Sequence, residues 1–144
     1  MTRVNLGIPP RNLCDQHLLA EHREMKRIPN VMVTGRFNWK NIPLNFTLGT
    51  GHVKFFYNKL DILMIRAERI YNECMLRDFN VQSYADSYSF ACDKFQSRII
   101  PYEITQNDIH LINKRLTDKL ENMKSIRYYK KDINAQRAIE ILNS

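Results

Sequence analysis

Two groups of residues near the start of the chain carry the types needed for chemistry on a polyanion. Thr2 and Arg3 follow Met1, and Gln16, Ala20, Arg23, Glu24 and Arg27 recur at offsets of 0, 4, 7, 8 and 11. That spacing places the second group on one face of a helix. A single carboxylate then stands among cations and an amide. On residue types alone this is either a solvated helix face laced with ion pairs or a surface for an anionic backbone with one acid set into it.

Other sites are excluded by spacing. No GxxxxGK[ST] occurs, and the Leu48–His52 run LGTGH lacks the preceding strand that a phosphate loop or dinucleotide fold requires. His17 and His22 are five residues apart, which turns them about 140 degrees from each other on an ideal helix. They make a poor zinc pair and read as surface or packing residues. Cys14, Cys74 and Cys92 cannot all pair and form no CxxC; a reducing compartment with inert thiols is the expected setting.

The elements that must position these residues follow from periodicity. Asn12 with Asp15 suggests a capping-box-like start to a first helix, running to about Arg27 before Pro29, with Cys14, Leu18 and Met25 buried. Residues 28–51 show no sustained period and read as a long connection. From Val53 to Cys74 the three-and-four spacing of Phe56, Leu60, Leu63, Ala67 and Ile70 predicts the core helix. A second irregular stretch reaches Pro101. Thr105, with Asp108 three residues on, caps a third helix whose inner face is Ile109, Ile112, Leu116, Leu120 and Met123. Its outer face carries Lys114, Arg115 and Lys119. Arg127, Tyr128, Tyr129, Lys130 and Lys131 follow, and Asp132 is expected to open a short last helix. With no strand alternation, the fold class is all-α: one compact domain over residues 1–144, with about three main helices and long irregular connections.

Composition agrees. The 144 residues are 44% apolar and carry 22 Lys and Arg against 15 Asp and Glu, a net charge of +7. This fits one modest core and favours polyanionic partners. Residues 1–40 hold 7 bases and 3 acids, residues 114–137 hold 8 and 3, and the middle is nearly neutral. Meeting of the two ends would merge their charge into one basic surface. No run approaches a membrane span, and the first 25 residues lack an apolar signal segment.

The run Met1–Leu6 followed by Asp15–Glu24 closely resembles the opening of the phage pyrimidine-dimer DNA glycosylase family, also called endonuclease V. The likeness continues through Leu48–Leu60, Glu73-Cys74, Phe79-Asn80 and Ile100-Pro101. It implies a helical fold and a bifunctional enzyme without metal or cofactor, which cuts the glycosyl bond of an ultraviolet-damaged base and then nicks the strand by β-elimination. The family's nucleophile, the α-amine freed by removal of the initiator Met, falls on Thr2. An α-amine of ordinary pKa near 7.7–8 is on the order of one-third neutral at pH 7.5, and Arg3 and Arg23 nearby would lower that pKa further. Glu24 matches the essential carboxylate, and Arg3, Arg23 and Arg27 match phosphate clamps. Gln16 and His17 match positions at the kinked duplex and its flipped-out nucleotide. Arg115 and Lys119 match DNA-touching residues of the third helix, while Arg127, Tyr128 and Tyr129 match an aromatic cluster implicated in damage recognition. The implied partner is double-stranded DNA bearing dimers or abasic sites, met by a monomer in the cytoplasm of a bacterial host if the protein is phage-encoded.

Departures from the family pattern are local. Gly7–Pro10 replace a shorter segment, Lys26 stands where the family has proline, the 28–48 connection is shorter, the C-terminal cluster lacks a tryptophan, and the last helix is longer. They leave two alternatives: a glycosylase for another altered base, and a non-catalytic basic DNA-binding module.

Overall fold

The computed structural model describes residues 3–144. Its elements are α1 (Asp15–Val33), α2 (His52–Phe55), α3 (Leu60–Leu76), α4 (Ala85–Lys94), α5 (Gln106–Asn122), β1 (Ile126–Tyr128), β2 (Lys131–Ile133) and α6 (Ala135–Leu142), with 3-10 turns at Pro10–Asn12 and Gln96–Arg98. The class is all-α, as the periodicity indicates, and α1, α3 and α5 are the long helices. α1 packs on α3 and α4, and α6 on α5. Leu18, Met25 and Ile28 of α1 meet Leu63, Ile70 and Cys74 of α3 in the core, which continues into Ile112, Leu116 and Leu120 of α5.

The first helix differs from expectation at both ends. No capping box forms: Cys14 is the N-cap and its side chain accepts no capping hydrogen bond. Asn12 instead turns its amide to the carbonyls of Leu142 and Ser144, at 3.3 and 3.2 Å. At the other end α1 runs through Pro29 to Val33. Proline has no N–H for the carbonyl four residues back, so Met25 O loses its helical partner. The hydroxyl of Tyr88, fully buried on α4, donates to that carbonyl at 2.7 Å. One side-chain bond from a neighbouring helix thus replaces the missing backbone bond.

The expected continuous helix over 53–74 is two pieces. Lys59 lies outside helical backbone space, and its Nζ turns back to Phe55 O at 3.0 Å and Asn58 Oδ1 at 2.8 Å. Asn58 O accepts from Ile100 N–H at 2.9 Å, so the Ile100-Pro101 segment inserts where the ladder would continue. The Ser- and Tyr-rich stretch expected to be irregular contains α4, which buries only Tyr88 and Ala91, too narrow a stripe for periodicity to reveal.

At α5 the capping box forms as read. Asp108 N–H donates to Thr105 Oγ1 at 3.0 Å and Thr105 N–H to Asp108 Oδ2 at 3.1 Å. Beyond it, the all-helical reading misses a small antiparallel hairpin pairing Ile126 with Ile133 and Tyr128 with Lys131. Asp132 lies in β2, and Asn134 caps α6 through Arg137 N–H at 2.8 Å.

Candidate active site

The chain start is tied to two other parts of the fold. Val4 N–H donates to His52 Nε2 at 2.9 Å, which places the imidazole proton on Nδ1, whence it is donated to Thr47 O at 2.8 Å. Arg3 Nε donates to Leu48 O in the same loop. Burial, reinforced by the charges of Arg3 and Arg115, pulls the His52 pKa from 6.5 to about 4, so the ring is neutral at pH 7 and accepts the Val4 bond. The arm is also held to α1. Asn5 Nδ2 donates to Glu21 Oε1 at 2.9 Å, and Arg66 of α3 bridges Glu21, at 2.7 and 3.0 Å, to Ile8 O at 2.6 Å.

On α1, His17, Ala20, Glu21 and Glu24 follow the three-and-four spacing that sets side chains on one face. His17, Ala20 and Glu21 line a cavity of about 90 Å³ together with Arg3, Arg115 and Lys119. This is where the two basic ends of the chain meet. Burial, then the charges of Arg115 and Lys119, lowers the His17 pKa to about 4 and leaves it a neutral polar group among cations. Burial and the nearby charge of Arg3 likewise lower the pKa of Arg115. Cations held this close on a concave surface raise the local concentration of an anionic ligand. Asn5 also lines this cavity, and its buried Oδ1 accepts no hydrogen bond among the described residues.

Glu24 lies one turn beyond Ala20 along α1 and is 5% exposed. Its Oε1 pairs with Arg27 Nη1 at 3.4 Å, and the Arg27 side chain is 53% exposed. The carboxylate is therefore sheltered while its cationic neighbour reaches solvent. Arg23 is exposed beside it. Thr2 lies outside the described residues.

Gln16, Tyr128 and Tyr129 have visible structural work. Gln16 Nε2 donates to Ser125 O at 2.9 Å and its Oε1 accepts from Arg127 N–H at 3.0 Å, so α1 grips the start of the hairpin. The Arg127 side chain points outward as an exposed residue. Asp15 accepts from both turn amides, Tyr129 at 3.0 Å and Lys130 at 2.7 Å. It also pairs with the buried Arg77 at 2.9 Å, and Arg77 pairs with Glu73 at 2.9 Å. The guanidinium lies 4.8 and 4.6 Å from the rings of Tyr128 and Tyr129, whose hydroxyls donate to Arg11 O and Glu73 Oε2. Burial alone would lower the Arg77 pKa, but hydrogen bonds to Glu73 and Asp15 raise it instead. The aromatic-cation run is a lock joining α1, α3 and the hairpin.

His52, Glu21 and Arg66 belong to the site although residue spacing does not single them out. Arg66 had a legible signal, since it occupies a core slot between Leu63 and Ile70 at offsets of three and four. His22 and the three thiols are placed for packing. His22 stacks on Tyr84 at 4.5 Å and contacts Gln82 O at 2.8 Å. Cys14 and Cys74 are buried, Cys92 is half-buried, and burial raises all three thiol pKa values. Among the described residues no group of three or more His, Cys, Asp or Glu is placed to hold a metal ion. A larger hollow of about 540 Å³ beside Ile8, Pro9, Ile62 and Ile65 is mostly apolar, and Glu24 is not part of its lining.

A sequence model of the family described as pyrimidine dimer DNA glycosylase matches residues 1–87. The matched span holds the arm, the His52 anchor, the α1 face with Glu24, α3 with Arg66, and Arg77 just past the end of α3. It covers more than half of the 144 residues. A basic cleft framed by the chain start, a sheltered carboxylate on the helix beside it and this match together place the chain in the pyrimidine dimer DNA glycosylase family.

Proposed function

We propose that the protein excises ultraviolet-induced cyclobutane pyrimidine dimers from duplex DNA and then nicks the strand, with the α-amine of Thr2 as nucleophile and Glu24 as the acid/base. The observation that carries this reading is the double anchoring of residues 3–5, by His52 and by Glu21, beside the α1 face that bears Glu24. Arg3, the first anchored residue, adjoins Thr2 in sequence, which supports the chain start as the source of the nucleophile.

The chemistry proceeds in balanced steps. The neutral amine attacks C1′, the glycosyl bond breaks, and the base departs with its electron pair and takes up a proton. The charged nitrogen now bonded to C1′ supplies that proton; its freed lone pair then breaks the C1′–O4′ bond, O4′ takes a proton from water as the sugar ring opens, and a C1′=N iminium remains, a covalent intermediate that splits one difficult step into easier ones. The Glu24 carboxylate stabilises cationic charge at the sugar during base loss, then accepts the C2′ proton while the 3′ phosphate leaves. Hydrolysis of the iminium frees the enzyme. Arg3, Arg23, Arg27, Arg115 and Lys119 hold the flanking phosphates, and His17, kept neutral, faces the extruded nucleotide. Gln16, Arg127, Tyr128 and Tyr129 serve the DNA surface chiefly by fixing the hairpin against α1.

Borohydride reduction with dimer-containing or abasic duplex should trap an adduct whose peptide map places it on residue 2. Absence of an adduct from active protein would exclude the amine. Glu24→Gln should abolish base release but retain lesion binding; if binding is lost as well, Glu24 is a structural residue. A panel of lesions distinguishes dimers from another altered base, and a protein that binds with steep salt dependence but never nicks is a binding module.

A further inference from the structure

Leu44 is 94% exposed, more than any other large apolar side chain described. It makes no contribution to the core, yet Pro43 and Phe46 on either side of it are packed. Pro43 packs against Gly51, where an added Cβ would meet its ring at 3.1 Å. Phe46 is 6% exposed and sits edge-on to His52, Phe55 and Phe56 at 5.7, 5.7 and 6.3 Å. One residue further, Thr47 O takes the His52 Nδ1 proton. Leu44 is therefore the tip of the same loop that fixes Val4 and Arg3.

The loop's charge suits a polyanion. Between the end of α1 and the start of α2 the loop carries Arg36 and Lys40 and no Asp or Glu. Arg36 and Lys40 are exposed on the approach to the tip. A single aliphatic side chain raised on a packed, acid-free loop with two exposed cations matches the chemistry of a wedge: cations engage phosphates while the apolar tip enters between base steps and holds them unstacked. Extruding a nucleotide leaves such a gap in the stack.

Resting on the reading above, we propose that Leu44 is a positioning residue that inserts into the duplex and fills the space left by the extruded nucleotide. Its side chain does not touch the reacting atoms; it lengthens the life of the open helix.

The test compares wild type, Leu44→Ala, Leu44→Ser and Leu44→Met on two substrates: a fully paired dimer duplex and a short single-stranded oligonucleotide carrying an abasic site, where no stack must be opened. Leu44→Ala and Leu44→Ser should lose roughly tenfold or more in kcat/KM on the duplex, keep wild-type nicking of the single strand, and unfold at the wild-type temperature. Leu44→Met should recover most of the loss. A 2-aminopurine placed opposite the lesion should brighten on binding of wild type and much less with Leu44→Ala. Wild-type activity of Leu44→Ala on the duplex, or an equal loss on both substrates, overturns the wedge and leaves the glycosylase reading standing. Failure of the wild type to nick either substrate refutes that reading and the wedge with it.

Discussion

Replacing Tyr88 by Phe tests how α1 crosses Pro29. The substitution keeps the ring and removes one hydroxyl, so packing on the fully buried side chain is preserved. What is lost is the 2.7 Å donation to Met25 O. That carbonyl has no helical partner because residue 29 lacks an N–H. An orphaned buried acceptor costs about 1–3 kcal/mol, which for a chain of this size lowers Tm by roughly 2–10 °C. The decisive comparison is a double-mutant cycle with Pro29→Ala. Restoring an N–H at residue 29 gives Met25 O its backbone bond, so Tyr88→Phe in that background should cost only about 0.5 kcal/mol or less. Urea unfolding followed by circular dichroism at pH 7.5 yields the four free energies. Equal costs in the two backgrounds would show that Tyr88 stabilises the protein in some way unrelated to the proline, and the account of α1 would fail.

Three further expectations rest on the site and its supports. His52 has a pKa of about 4 when folded against 6.5 ordinarily, so the unfolded chain binds more protons between those values; stability is full above pH 6.5 and falls on acidification toward 4, by about 3 kcal/mol from this group. His52→Gln should flatten that window relative to wild type in urea titrations, and parallel curves would dismiss the assignment. Arg77→Met leaves Asp15 and Glu73 as buried, uncompensated carboxylates and should cost about 3–5 kcal/mol, with amide exchange rising in the hairpin; unchanged exchange there would contradict the lock. Gly7→Ala places a Cβ 2.8 Å from Ile109 Cγ1 at a residue with φ of +91°, and should destabilise by about 1–3 kcal/mol in thermal melts.

Periodicity revealed the elements that bury broad apolar stripes. α5 and the core face of α3 are read almost residue for residue, and the Thr105–Asp108 box is explicit in local chemistry. What escaped depends on partners far along the chain. Pro29 reads as a stop because the hydroxyl that rescues its helix is on Tyr88. The turn at Tyr129 and Lys130 has none of the Asn or Gly that announces a two-residue hairpin. Its left-handed backbone, with φ of 51° and 66°, is held by Asp15. Within the candidate site, the spacing of Gln16, Arg23, Glu24 and Arg27 was visible on one helix, whereas the His52 anchor links two loops whose sequences show no common period. Arg66 and Glu21 illustrate the converse signal, charged residues in apolar slots that pair with each other.

The Asp15 carboxylate reaches the hairpin amides across 114 and 115 positions of sequence. A turn that depends on so distant an acceptor cannot nucleate by itself, because loop closure must precede the contact that rewards it. The hairpin is therefore a late arrival in folding, formed after the helices dock. During synthesis, a chain still short of Tyr129 leaves Asp15 and Arg77 waiting for their last partners, and a ribosome-stalled fragment ending there should be more readily cleaved by proteases than the finished protein.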